Sequence, residues 1–359
     1  MINKPDPWFE QIHRRIGMYV GPPDHTAVCR LIWEAIDEAV DTAVYSSCSR
    51  ISVTVHTDCS VTIAYDGTYP ETLATDLQTA LNNMATQLEW RLAPIPIMNA
   101  LSEHLTISIF TGTHHFQQHF RGGQSISSVE DHGITTIRGR RIHFVPDSIC
   151  FSDVQELSPY AVLGHLRTVA MLAPDVRVQF CDERTALLSE FTYREGIRSY
   201  LIEQDYDRNI NPQSLFYCSK ADAHITGEVA FHWYYRGLTE VSSYANWRAT
   251  PEGGSHVTGF WRGLALSLDQ FARQEGYFQV DTPRLRRRHV PQPLTAIIAV
   301  RVETPKYRDA SRNILHDSSV KAFVSQMLQE QLPTQFAADP HFVIEWAKRH
   351  VWFLRNKDI

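Results

Sequence analysis

The sequence contains no apolar run on the order of 18 residues, the minimum for a bilayer-crossing helix, so no membrane span is expected. The stretch Met1 to Glu10 carries Lys4, Asp6 and two prolines in place of an apolar segment, which leaves no signal peptide to expect. Six cysteines are present, at 29, 48, 59, 150, 181 and 218, and none is spaced as CxxC. They read as reduced thiols of a cytoplasmic protein, with nothing to suggest zinc. A basic excess is also missing: Lys plus Arg number 34 against 40 Asp plus Glu, a formal charge of −6. Chains that live on duplex DNA use surplus cations to neutralise phosphates, so DNA contact is expected to be weak or absent. The one basic run, Arg284 to His289, reads as a solvated loop ahead of a strand. No internal repeat or low-complexity tract appears.

What is present is a globular composition, 43% hydrophobic and 21% charged, over 359 residues, enough for two domains with separate cores. Between Ala27 and Val44 the apolar residues Ile32, Ile36, Val40 and Val44 recur every four positions. Glu34, Asp37, Glu38 and Asp41 share another face, so this segment is predicted to be a helix. Ile51–His56 and Ser60–Tyr65 read as a hairpin. Further strands are expected at Leu105–Phe110, His114–Phe120, Ile134–Ile137, Ile142–Val145 and Val176–Phe180. A second block, from about Glu190, shows helices at Arg194–Gln204 and Gly259–Gln274 and strands at Glu228–Tyr235 and Ala296–Val302. Helices at Ser318–Gln331 and Phe342–Arg355 follow, separated by Pro333 and Pro340. The mixture argues for an α/β (α+β) chain of two domains, 1–188 and 189–359. His115 and His119 share a strand face and read as surface residues, and Gly253-Gly254 reads as a turn.

Several segments, in order and spacing, resemble the N-terminal fragment of the DNA gyrase and topoisomerase IV B subunits. His13 to Gly21 (HRRIGMYVG) is similar to the family's opening motif RKRPGMYIG. Leu31 to Asp41 resembles its first catalytic helix, and Asn99 to Ser102 the end of its lid segment. Ile142 to Phe151 resembles the strand and turn that close the ATPase domain. Pro251 to Phe260 is similar to the transducer signature, and Leu294 to Val302 with Pro305 to Tyr307 to the strand after it. The resemblance implies a GHKL-type (Bergerat) ATPase-like sandwich followed by a ribosomal-S5-type transducer. It also implies ATP and Mg²⁺ as ligands. The chain ends where the family continues into a metal-binding cleavage domain, so no independent strand passage is expected.

Carried over residue by residue, the resemblance puts Glu34 at the general base and retains Asp37 on the same helix. Glu38 stands at the Mg²⁺-binding asparagine, where a carboxylate still offers a metal ligand. The adenine-reading aspartate falls on Tyr65, with Asp66 as its substitute. The phosphate-cradling glycines fall on Leu92 and Pro94, and proline has no N–H to offer. A neutral threonine of the adenine pocket falls on Arg140, and the transducer lysine falls on Ile314, two positions from Arg312. Arg140 is expected to pair with Asp37 or Glu38 and fill the adenine space; the alternative has it pointing to solvent over a cleft collapsed around Tyr65.

These replacements imply a stand-alone gyrase B-like protein that has lost efficient ATP hydrolysis and acts as a binding, regulatory or inhibitor-decoy module. Two alternatives stay open: an enzyme using the acidic cluster of the helix for metal or acid/base chemistry, and a slow ATPase. The partners implied are a gyrase-type subunit, a small-molecule ligand, or a second copy docking through the transducer.

Overall fold

The computed structural model describes residues 7–20, 27–46, 48–67, 94–151, 157–204, 215–234, 237–308 and 312–355. They form two compact units, Met1–Arg194 and Glu195–Ile359. The expected boundary after residue 188 falls inside a strand, Leu187–Phe191, that pairs with Arg177–Asp182 and belongs to the first unit.

The first unit opens with α1 (Pro7–Arg14), α2 (Ile16–Tyr19) and α3 (Ala27–Ser46). Its sheet contains β1 (Arg50–Val55), β2 (Val61–Tyr65), β3 (Ser102–Thr111), β4 (His114–Arg121), β5 (Gln124–Ser125), β6 (Glu130–Ile134), β7 (Arg138–Pro146), β8 (Arg177–Asp182) and β9 (Leu187–Phe191). Two more helices among the described residues are α4 (Pro94–Ala100) and α5 (Pro159–Leu172). The strand order is β5-β4-β3-β7-β2-β1-β8-β9, with β6 on β4. All pairs are antiparallel except β1 with β8. Burial alternates along β1 and β2, as a strand with one core face requires.

Helix α3 lies against β2 and α5, and α5 lies against β8. Leu31, Ile32, Ala35, Ile36, Ala39 and Val40 of α3 are all fully buried, so removing this stripe from water is what docks the helix. Two departures from the sequence reading occur here. The strand expected at Ile134–Ile137 ends at Ile134, and both isoleucines are exposed, so apolarity there marks no core position. Helix α5 has no counterpart in the sequence reading, although Ser158 and Pro159 stand at its N-cap and first position and Val162, Leu166 and Val169 form its buried stripe.

The second unit has a five-stranded sheet, order β10-β11-β14-β12-β13. The strands are β10 (Phe216–Ala221), β11 (Ile225–Trp233), β12 (Glu240–Ala245), β13 (Arg248–Ala249) and β14 (Leu294–Val302). Helices α6 (Ile197–Gln204), α7 (Ser255–Gln274), α8 (Ser318–Ala338) and α9 (His341–Arg355) accompany them. Helices α7 and α8 pack as a pair, and a Cβ at Gly259 of α7 would lie 2.7 Å from the Lys321 carbonyl oxygen of α8. Helix α8 runs through Pro333, where a break was expected; Leu332 and Phe336, both fully buried, anchor the turn around it. The four arginines of the basic run are exposed, as a solvated loop requires, although two of them have partners. Arg284 pairs with buried Asp269, which also receives Arg273, and the Arg287 guanidinium sits 4.9 Å from the Trp261 ring centroid.

At the start of α7, His256 is fully buried and its Nε2 bonds the Thr250 hydroxyl at 3.0 Å. Burial pushes its pKa down to about 4 from 6.5, so the folded chain holds it neutral at neutral pH. The unfolded chain takes up that proton below about pH 6.5. The stability contributed is therefore complete above about pH 6.5 and is lost as the pH falls toward 4. The expected loss is about 3 kcal/mol. Urea unfolding followed between about pH 7 and pH 4 should show this slope, and His256→Gln should flatten it; an unchanged slope in the variant would assign the acid sensitivity elsewhere.

Candidate functional site

Helix α3 carries the acidic residues of interest, and the β2–β7–β3 strands face it with the residues that answer them. In register, Arg140 of β7 stands opposite Tyr65 of β2 on one side and Ile109 of β3 on the other. Register partners share a sheet face, so Arg140 and Tyr65 project together. Arg140 is only 4% exposed, and a guanidinium at that depth requires a counter-charge. Glu38 supplies it: Arg140 Nη1 donates to Glu38 Oε1, and the Glu38 side chain is itself only 17% exposed. The Tyr65 hydroxyl donates to the other oxygen, Oε2, at 3.4 Å, and the Arg140 Cζ lies 5.7 Å from the Tyr65 ring centroid. Arg140 and Tyr65 thus both donate to the Glu38 carboxylate. The residue before Arg140 must be glycine: Gly139 has φ +134°, and a Cβ there would fall 2.1 Å from the Tyr65 carbonyl oxygen.

Asp37 has a partner on α5. Its carboxylate accepts a 2.8 Å hydrogen bond from His165 Nε2 of α5, and both side chains are nearly buried. The His165 ring lies 5.4 Å from that of Trp33 on α3. The arginine–carboxylate pairing expected of the site therefore involves Glu38, while a histidine that sequence reasoning missed takes Asp37. The signal for it was the Ser158-Pro159 helix start.

Asp66 is turned elsewhere. It accepts from the Cys48 thiol at 3.1 Å, the Ser49 amide and hydroxyl at 2.8 and 2.6 Å, and the Arg50 amide at 2.7 Å. Burial raises its pKa, but these donors more than offset that and hold the carboxyl below its usual range. Its task is to clasp the start of β1. Glu34 lies one turn before Glu38 on α3, partly exposed, and Asp41 is exposed. Among the described residues one set of metal-ligating side chains converges, and none of these four α3 carboxylates belongs to it. Nor do the β4 histidines: His115 stacks on Phe110, with ring centroids 4.4 Å apart, and His119 bonds the Thr106 hydroxyl. Leu92 lies outside the described residues, and Pro94 begins α4. In the second unit Ile314 stands where the resemblance placed a lysine, partly buried, with its carbonyl accepting from the Arg308 amide.

Residues 196–350 match the DNA gyrase B family model. The chain is 26% identical over 351 residues to the DNA gyrase B protein of Clostridium acetobutylicum, spanning 92% of this chain and 55% of that protein. Against the gyrase B protein of Synechocystis it is also 26% identical, over 91% of this chain and 32% of that one. The chain thus spans about half or less of the length of these relatives. Its fold superposes on the 43K ATPase domain of Thermus thermophilus gyrase B in complex with an aminocoumarin, with a TM-score of 0.82 and 24% identity, covering 95% and 94% of the two chains. The topoisomerase IV ATP-binding domain of Francisella tularensis, in complex with a small-molecule inhibitor, gives 0.79 at 20% identity over 97% and 98%. The chain is gyrase B-like, and its fold is that of the GHKL ATPase fragment.

The buried pair makes a stability prediction. Glu38→Gln removes the charge that the buried Arg140 guanidinium is paired with and should destabilise the first unit by about 3 kcal/mol. Adding Arg140→Met to that variant should recover most of the loss. Urea denaturation of the two single variants and the double variant measures the coupling, and simple additivity would contradict the pairing.

Proposed function

We propose that this gyrase B-like chain is a binding or regulatory module whose nucleotide cleft no longer supports efficient ATP hydrolysis. The observation that carries the reading is the Arg140–Glu38 ion pair closed over by Tyr65. In this reading Glu38 gives its oxygens to Arg140 and Tyr65 and is withdrawn from Mg²⁺. Arg140 occupies the place of a neutral adenine contact, and Asp37, held by His165, is withdrawn from the base. The sequence replacements work in the same direction. Proline at 94 and leucine at 92 offer a poor phosphate cradle, and Ile314 brings no cation. Loss of a single transition-state donor costs about 100- to 1000-fold in rate, so several together exceed what a retained Glu34 recovers. Were ATP and Mg²⁺ to bind at all, Glu34, Asp37 and the Glu38 oxygens would be the side chains nearest the reacting phosphates.

The same pairing disfavours a rewired metal enzyme, because Asp37 and Glu38 are engaged by His165 and by Arg140 with Tyr65, and the metal-ligating side chains that converge among the described residues lie elsewhere. The partner we propose is a gyrase-type subunit, engaged by a fold of the right shape that does not cycle. An inhibitor-decoy role is the second arm, favoured by the aminocoumarin held by the Thermus neighbour of the same fold.

Phosphate release by the purified chain with Mg²⁺ and ATP is expected at background and unchanged by Glu34→Ala. Turnover that Glu34→Ala abolishes would overturn the reading. A thermal-shift panel of an aminocoumarin and a gyrase-type subunit then separates decoy from partner binding.

A further inference from the structure

The described residues bring together three side chains of different ligand types: Asp147 and Cys150 in the turn after β7, and His13 of α1, distant from both in sequence. Their ligand atoms all lie within 4.8 Å of one another. We infer that His13, Asp147 and Cys150 form a binding site for a zinc-class divalent cation, which ties α1 to the turn after a central strand of the sheet.

The geometry is specific. His13 Nε2 lies 2.7 Å from the Ala100 carbonyl oxygen, which can only accept, so the proton of the neutral ring sits on Nε2. Nδ1 is left with a bare lone pair, and that atom faces the Cys150 sulfur at 3.5 Å. With zinc–sulfur and zinc–nitrogen bonds of about 2.3 and 2.0 Å, tetrahedral coordination requires a sulfur–nitrogen separation of about 3.5 Å. The imidazole is thus held as metal-ligating histidines are, its second nitrogen donating to a backbone carbonyl and its face packed on Phe9, ring centroids 4.3 Å apart. The turn is built to present the other two ligands. The amides of Cys150 and Phe151 bond the Asp147 carbonyl oxygen, the Ile149 amide bonds Asp147 Oδ1 at 2.8 Å, and the Asp147 carboxylate also meets the Cys150 thiol. Thiolate, imidazole and carboxylate together select zinc, or its cobalt and cadmium stand-ins, over magnesium and calcium. Cys150 is buried, whereas His13 and Asp147 are partly exposed, so the ion has a route in and a fourth position for water. On binding, Cys150 releases its thiol proton to solvent and its sulfur lone pair forms the metal bond. The site involves none of the α3 residues and stands apart from the reading of the nucleotide cleft.

The test is a cobalt titration of the whole chain after dialysis against a chelator. One equivalent should produce a thiolate-to-cobalt charge-transfer band, and zinc should displace it. Cys150→Ser should abolish the band. His13→Gln, which keeps a donor for the Ala100 carbonyl, and Asp147→Asn should each weaken binding by roughly tenfold or more. Circular dichroism checks that each variant folds, and His13→Gln decides the matter alone if Cys150→Ser does not fold. No saturable band, or an undiminished band in Cys150→Ser or His13→Gln, would overturn the site and leave an ordinary thiol–imidazole hydrogen bond.

Discussion

A guanidinium buried on a β-strand has to be answered by an anion, and around Arg140 that requirement organises the whole face between α3 and the sheet. The register of β7 against β2 and β3 fixes where the charge stands. Glu38, one helix away, is the carboxylate that meets it, and Tyr65 closes the remaining side. Leaving either charge alone at that depth would cost several kcal/mol, so the two residues act as a unit. Gly139 belongs to the same constraint, since only a residue without a Cβ lets the strand bring Arg140 this close to the backbone of Tyr65.

A cleft made for a polyphosphate needs cations and amides left uncommitted for the ligand. Here the charges are committed to each other: Glu38 to Arg140, Asp37 to His165, Asp66 to the backbone and side chains at 48–50. A helix rich in carboxylates can serve as a metal platform only if its oxygens converge, and the separate partners of Asp37 and Glu38 oppose that. The fold of the gyrase B ATPase fragment is present, and Asp37, Glu38 and Asp66 within it are engaged with neighbours in the same chain; a fold does not by itself fix the chemistry it carries.

How much of this was legible depended on the range of the signal. The four-residue apolar period gave α3, and alternation gave the β1–β2 hairpin, because both are local patterns driven by burial on one face. The placement of Arg140 near the acidic helix followed from the order of motifs, but the choice of Glu38 over Asp37 depended on His165. That residue sits on a helix whose start, Ser158-Pro159, carries a readable local signal, yet its docking against α3 does not. Pro333 misled in the opposite direction, since a proline ends helices by local rules yet is carried along here by buried Leu332 and Phe336. Nothing local could bring His13 to Cys150. They are 137 residues apart, neither lies in a ligand-spaced motif, and only the three-dimensional chain path places them in contact. Short-range physics writes the elements into the sequence, whereas polar pairings across the fold depend on register and docking.

If the face beside α3 is neutralised from within, it does not accept Mg²⁺-ATP, and the loss of turnover proposed for the chain rests on that point. Calorimetric titration of the purified chain with ATP in the presence of Mg²⁺ tests it most directly. No saturable binding heat is predicted at ligand concentrations up to the order of a millimolar, the upper range of ordinary substrate affinities. A micromolar dissociation constant, lost when Glu34 or Asp37 is changed, would contradict it.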